Sequence, residues 1–266
     1  MKNITPPQPN NPKIEKDVFE AFMELVRILR NECPWDRKQT NKSIAHLTIE
    51  ESYEIMDAID NEDDKELAKE LGDVLLHVLL HSVIAEQRGA FDITDVIKAV
   101  HEKMIHRHPH VFSDTKVDSE DDVVRNWELL KKSEGKKSAL DGVPKGLPAL
   151  LKAERMQHKA AKVGFDWDDK RDVWNKVFEE IEELKEMIAI GDKERMTDEF
   201  GDVLFSLVNA ARHEKIVAEE ALHFTNNKFI YRFQYIEKKA AEQGKSLDDM
   251  TLVEMDVLWD EAKKIK

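Results

Sequence analysis

The sequence predicts an all-α protein built from two tandem four-helix domains, and three observations carry the prediction. Glycine and proline are scarce, nine and eight in 266 residues, while the strong helix formers glutamate, lysine, leucine and alanine abound. Apolar residues recur at i, i+3, i+4 and i+7 over segments too long for strands. The chain also repeats itself. Glu50, Glu51 and Glu54 return at the same spacing as Glu179, Glu180 and Glu183, and Glu70 and Asp73 return as Glu199 and Asp202. In both halves the first glutamate of one motif stands twenty residues before the glutamate of the next. Lys103 and Arg107 are then echoed by Lys228 and Arg232, and Trp127 and Lys131 by Trp259 and Lys263.

In chain order, residues 1–13 form a proline-rich leader expected to be disordered, and the first domain spans 14–134. Its first helix runs from about Ile14 to Arg30 with a stripe of Val18, Phe22, Leu25, Val26 and Leu29, and "NECPWDRKQT" breaks it. Two acidic helices follow, about Ser43 to Asp60 and Asp64 to Arg88, joined by the polar turn "NEDD". A fourth starts at Asp92 or Thr94, both good N-cap types, and stops before Pro109. "DDVVRNWELLKKSEG" reads as a short closing helix. Residues 135–150, rich in Gly, Pro and Lys, form the linker. The second domain, 151–266, holds three more long amphipathic segments and the final short helix "TLVEMDVLWDEAKKI".

A net charge of −14 opposes a nucleic-acid partner, which needs a basic surface to displace counterions. The single cysteine, Cys33, rules out an intramolecular disulfide and offers no zinc cluster. The first residues lack the apolar core of an export signal, and the longest apolar run is interrupted by His77 and His81. No membrane span and a cytoplasmic address are therefore expected.

Residues three or four apart share a helix face, so Glu51 projects with Glu54 and Glu70 with Asp73. Two helices joined by a tight turn pack antiparallel, which can bring the pairs opposite each other. Four converging carboxylates must take up protons or a cation, and an all-oxygen set suits Mg²⁺, with Mn²⁺ as a substitute, and disfavours zinc. The second half repeats the set as Glu180, Glu183, Glu199 and Asp202. Mg²⁺ usually binds together with substrate phosphates. The Lys/Arg pairs Lys103 and Arg107, and Lys228 and Arg232, supply a cationic face for those phosphates. Trp127 with Lys131, and Trp259 with Lys263, would add an aromatic wall and one more cation. No Gly-rich phosphate loop exists, so a nucleotide polyphosphate must be gripped through metal. His106, His108 and His110 straddle a proline break and have no counterpart in the second half, which favours a structural role. Trp35 either staples the first helix to the second or lines a base pocket.

Two other readings of the residues stand beside this one. A non-catalytic acidic scaffold that binds a partner helix explains the helices and the charge, but not the recurring Lys/Arg pairs. A di-metal carboxylate bundle needs Glu-x-x-His, where this chain has Asp73 and Asp202.

The strings "CPWDRKQT", "EESYEIMDAI", "KELGDVLLHV", "RHPHVF", "VGFDWDD", "EEIEELKE" and "DEFGDVLFSLVNAAR" resemble the two-domain MazG family of nucleoside triphosphate pyrophosphohydrolases, from about Phe19 to Ile265. The resemblance implies a homodimer that cleaves NTP or dNTP of broad base range to monophosphate and pyrophosphate, with Mg²⁺. It also implies a role in nucleotide-pool cleaning or stress. Carried onto this chain, Glu180, Glu183, Glu199 and Asp202 would ligate metal, with Glu179 supporting them or orienting water. Lys228, Arg232 and Lys263 would hold phosphates and Trp259 would contact the nucleotide. The matching first-domain residues are Glu51, Glu54, Glu70, Asp73 and Glu50, then Lys103, Arg107, Lys131 and Trp127. In such proteins the second domain is the one usually credited with activity.

Overall fold

The computed structural model describes residues 4–113, 115–117, 119, 122, 123, 126 and 138–265. Among them there is no strand, and the chain divides into two compact units, Met1–Lys132 and Ser133–Lys266.

In the first unit, α1 (Glu15–Glu32) buries Met23 and Val26 and stops at Cys33, where the next residue is Pro34. The segment after it is tied down by one cation. Arg30, buried at the end of α1, donates from Nη1 to the carbonyls of Asp36 and Gln39 and from Nε to the Gln87 side chain. This accounts for "CPWDRKQT" as a strapped corner, in which Trp35 remains 55% exposed.

The acidic helices α2 (Ala45–Asp60) and α3 (Asp64–Glu86) form a hairpin. Glu62 turns the chain with a left-handed φ of 54°, and the Asp63 carboxylate accepts the N–H groups of Lys65 and Glu66 to cap α3. Met23, Val26, Ile44, Leu79, Leu80, Val83 and Ile84 make the core where α1 and α3 meet. Next, α4 (Ile93–Arg107) starts with a reciprocal capping box between Asp92 and Asp95. It ends before Pro109, which opens the single turn α5 (Pro109–Phe112). His108 sits at that junction with Nδ1 2.6 Å from the Met104 carbonyl, a helix-terminating role. The expected short helix in "DDVVRNWELLKKSEG", with Trp127 and Lys131, lies largely outside the described residues.

The second unit opens with a helix that is not among those expected from the sequence, α6 (Ala149–Ala161). It begins directly after Pro148, so Ala149 and Leu150, expected in the linker, are already helical. It buries Ala153 and Gln157. The hairpin of α7 (Lys170–Ile190) and α8 (Lys193–His213) repeats that of α2 and α3. Gly191 closes α7 at a φ of 78°, where a side chain would be strained, and Asp192 caps α8. α9 (Ala218–Glu242) and α10 (Leu252–Ile265) pack through Ile236, Ala240, Met250 and Leu258. α6 lies against α8 and α9.

Leu71, Leu75 and Val78 on α3, and their repeat counterparts Phe200, Leu204 and Leu207 on α8, all remain exposed. Among the described residues no helix is long and apolar enough to cross a membrane.

Candidate metal centre

Each helix hairpin gathers a carboxylate triplet at the same place in the repeat. Ligand oxygens of Glu51, Glu70 and Asp73 all lie within 4.8 Å of one another, and so do those of Glu180, Glu199 and Asp202. The pairs predicted from i, i+3 spacing therefore converge as three of four. Glu54 and Glu183 fall outside the triplets but stay in their field. Partial desolvation, then the charges of Glu70, Glu51 and Glu50, hold the Glu54 carboxyl above its ordinary range, although the residue is largely exposed. Burial, then Glu183, Asp202, Glu180 and Asp198, does the same to Glu199. Glu50 and Glu179 are exposed, and Glu179 is occupied by Lys176 at 2.6 Å.

Both triplets contain an oxygen that needs a partner. Glu70 is 1% exposed; its Oε1 accepts from Lys69 at 2.8 Å, but its Oε2 is buried with no hydrogen bond. Glu199, its repeat counterpart, likewise buries Oε2 without a partner. An orphaned carboxylate oxygen is costly to bury, and a proton or a bound cation would satisfy it. The donor sets are entirely oxygen, with no histidine, which fits a hard divalent ion of the magnesium or manganese kind.

The surroundings of the two triplets differ. In the second unit Glu180 and Asp202 also line a cavity of about 330 Å³, together with Lys176, Gln157, Ser206 and Asn209. Phe165 and Trp167 stand at its rim, 79% and 42% exposed. Arg212 is braced there by the Asp166 carboxylate and by Asn209 Oδ1 at 2.8 Å. The repeat register puts Leu47, His77, Leu80 and Val83 where the second unit has Lys176, Ser206, Asn209 and Arg212. His77 points its Nε2 at Glu51 Oε1, 3.5 Å away. Beside Trp35 and Asp36 the first unit keeps a pocket of about 170 Å³ walled largely by leucine and valine, and no member of its triplet lines it. A cleft of about 370 Å³ does reach Glu70, but Glu54, Asp57, Asp63 and Glu66 make it acidic.

The remaining predicted binding residues form a separate group. Arg232 on α9 stacks its guanidinium 5.5 Å above the Trp259 ring, which also packs on Phe229. Trp259 lines a groove with Phe229, Phe233, Ile236, Leu252, Met255 and Asp256, in which no triplet residue takes part. Lys228 is exposed one turn from Arg232, and Lys263 is engaged by Asp260 at 2.8 Å. In the first unit Lys103 is exposed and Arg107 half-buried on α4, while Trp127 and Lys131 lie outside the described residues. Sequence reasoning missed Gln157, Asp166, Arg212 and Lys176. Reading the repeat for its differences would have found Lys176 and Arg212, because Leu47 and Val83 replace them in the first half.

Residues 39–112 and 170–236 match the MazG nucleotide pyrophosphohydrolase domain, and each match contains one triplet. Over 252 residues, 92% of this chain and 52% of the other, the protein is 52% identical to the uncharacterized protein YabN of Bacillus subtilis (strain 168). The chain thus spans about half the length of that relative. It is 40% identical over 254 residues to the nucleoside triphosphate pyrophosphohydrolase of Escherichia coli (strain K12), covering 93% of this chain and 97% of that one. With the nucleoside triphosphate pyrophosphohydrolase/pyrophosphatase MazG of Thermotoga maritima the identity is 42% over 251 residues, 92% of this chain and 96% of the other.

Proposed function

The chain belongs to the MazG nucleotide pyrophosphohydrolase family, and from that premise we propose that its second unit hydrolyses nucleoside triphosphates to the monophosphate and pyrophosphate with Mg²⁺. The observation that carries this reading is the opening of one triplet, through Glu180 and Asp202, into a cavity that also holds Lys176. Glu180, Glu199 and Asp202 are the ligands, with Glu183 at their edge. A divalent ion bound there supplies the positive charge that phosphate oxygens need as pyrophosphate departs.

The chain's own residues do the rest. The Lys176 ammonium, shared between Glu179 and Glu180 and lining the cavity, would hold a phosphate oxygen. Glu179, beside the ligand Glu180, would orient and deprotonate the attacking water. Lys228, Arg232 and Lys263 with Trp259 serve as an outer binding group. Among the described residues the first-unit triplet meets an acidic cleft at Glu70, whereas the second-unit triplet opens into a cavity that holds Lys176, which favours the second as the working site. Broad base tolerance and a nucleotide-cleaning role follow from the same reading.

The test is product identity. ³¹P spectra of ATP incubated with the protein and Mg²⁺ should show AMP and pyrophosphate. ADP and inorganic phosphate would mean cleavage at the terminal anhydride and a different enzyme.

The exposed stripes of Leu71, Leu75 and Val78 and of Phe200, Leu204 and Leu207 support a homodimer. Light scattering at micromolar concentration should give twice the 30.9 kDa chain mass, and Leu204→Glu should reduce the dimer population. A stable, active monomer would remove this part of the reading.

A further inference from the structure

The second-unit cavity contains a buried hydrogen-bond acceptor that the protein itself leaves unused. Gln157, on α6, is 7% exposed, and its Nε2 donates to the Phe205 carbonyl at 2.8 Å. A carbonyl can only accept, so this bond fixes Nε2 as the engaged end of the amide and Oε1 as the free one. Oε1 is buried without a hydrogen-bond partner, on a residue that lines the cavity. The neighbouring polar groups are already engaged. Ser206 donates to the Val203 carbonyl at 2.9 Å, while Asn209 Oδ1 accepts from Arg212 at 2.8 Å.

We propose that the cavity seats the nucleobase of the substrate and that Gln157 Oε1 accepts a hydrogen bond from an N–H on the base's Watson–Crick edge. The proposal rests on the hydrolase reading above and adds a specificity-determining residue to it. Its geometry is that of a base slot. Glu180 and Asp202 mark the phosphate end, Phe165 and Trp167 offer exposed aromatics that a flat ring would cover, and the buried Gln157 is part of the wall. A volume of about 330 Å³ accommodates a purine. Stacking between aromatic or apolar walls and a hydrogen bond to the Watson–Crick edge is how isolated bases are held elsewhere.

An acceptor at this point gives tolerance with a limit. Adenine and cytosine offer an amino group, guanine an amino group and a ring N–H, and uracil or thymine a ring N–H. Each common base can satisfy Oε1, whereas a base with no donor leaves it unpaired and is penalised. Among the described residues of the first unit, the small pocket beside Trp35 is walled instead by Val26, Leu29, Leu47, Leu76 and Leu80.

The experiment compares ATP with purine riboside 5′-triphosphate, which lacks only the 6-amino group, in pyrophosphate release with Mg²⁺. Wild type should prefer ATP in kcat/KM by about tenfold or more. Gln157→Leu should lower kcat/KM for ATP by about the same factor and leave purine riboside triphosphate within about threefold, so that the preference collapses. Gln157→Met, which keeps the side-chain length, serves the same purpose if the leucine variant melts early. A wild type active on both substrates without preference overturns the inference while leaving the hydrolase reading intact. So do Gln157 variants that weaken both substrates equally, since loss of the helix contact to Phe205 would do that. A wild type that releases no pyrophosphate from either overturns the hydrolase reading and this inference together.

Discussion

EDTA is expected to lower nucleoside triphosphate turnover by roughly three orders of magnitude or more, and excess Mg²⁺ or Mn²⁺ to restore it. The expectation rests on charge. Glu180, Glu199 and Asp202 crowd their oxygens within 4.8 Å, and Glu199 keeps one oxygen buried without a donor. Without a cation this site repels a polyphosphate instead of gripping it, and within the cavity Lys176 and Arg212, both already paired with carboxylates, oppose that repulsion. Because the ion binds the folded protein, Mg²⁺ should also raise the melting temperature. That rise should depend on pH. Burial first, and then neighbouring carboxylates, hold Glu199 above the ordinary glutamate range. The stability conferred by its protonated form is present below the ordinary value and is lost as pH rises through the raised one. The Mg²⁺-induced shift in melting temperature should therefore grow across the same span. Full turnover in chelator would contradict the metal mechanism, and the melting series distinguishes loss of binding from loss of fold.

Much of this site is written in residue spacing, because three and four residues are one helical turn. Glu51 and Glu180, Glu70 and Glu199, and Asp73 and Asp202 pair off on spacing alone, and the short turns "NEDD" and around Gly191 make antiparallel hairpins the natural consequence. Spacing is silent on how a third helix folds back. α6 carries Leu150, Ala153, Met156 and Ala160 at helical spacing and is legible as a helix, but nothing in that spacing says that it lies against α8 with Gln157 in the cavity wall. Glu54 and Glu183 share the helix face that spacing gives them and act on Glu70 and Glu199, though neither belongs to a triplet within 4.8 Å. The tryptophan motif lies apart from the acids. Trp259 shares the repeat with the acids but packs with Phe229 and Arg232 in its own groove. Differences between the halves, Leu47 for Lys176 and His77 for Ser206, are as informative as the matches.

The most direct test is a pair of isosteric substitutions at equivalent positions, Glu199→Gln in the second unit and Glu70→Gln in the first, assayed for pyrophosphate release from ATP with Mg²⁺. Each removes one carboxylate charge and keeps the side-chain volume, so helix content and melting behaviour report whether the fold survives. Each also touches the oxygen that its own triplet leaves unpartnered. The surroundings predict unequal results. Glu199 belongs to a triplet that opens into the cavity beside Lys176, whereas Glu70 belongs to one faced by His77 and an acidic cleft. Glu199→Gln should cut kcat/KM by roughly a thousandfold, the scale on which loss of a metal ligand or a preorganised charge is felt. Glu70→Gln should retain at least about half of wild-type activity. A fully active Glu199→Gln protein, or one in which Glu70→Gln alone abolishes pyrophosphate release, would contradict the account.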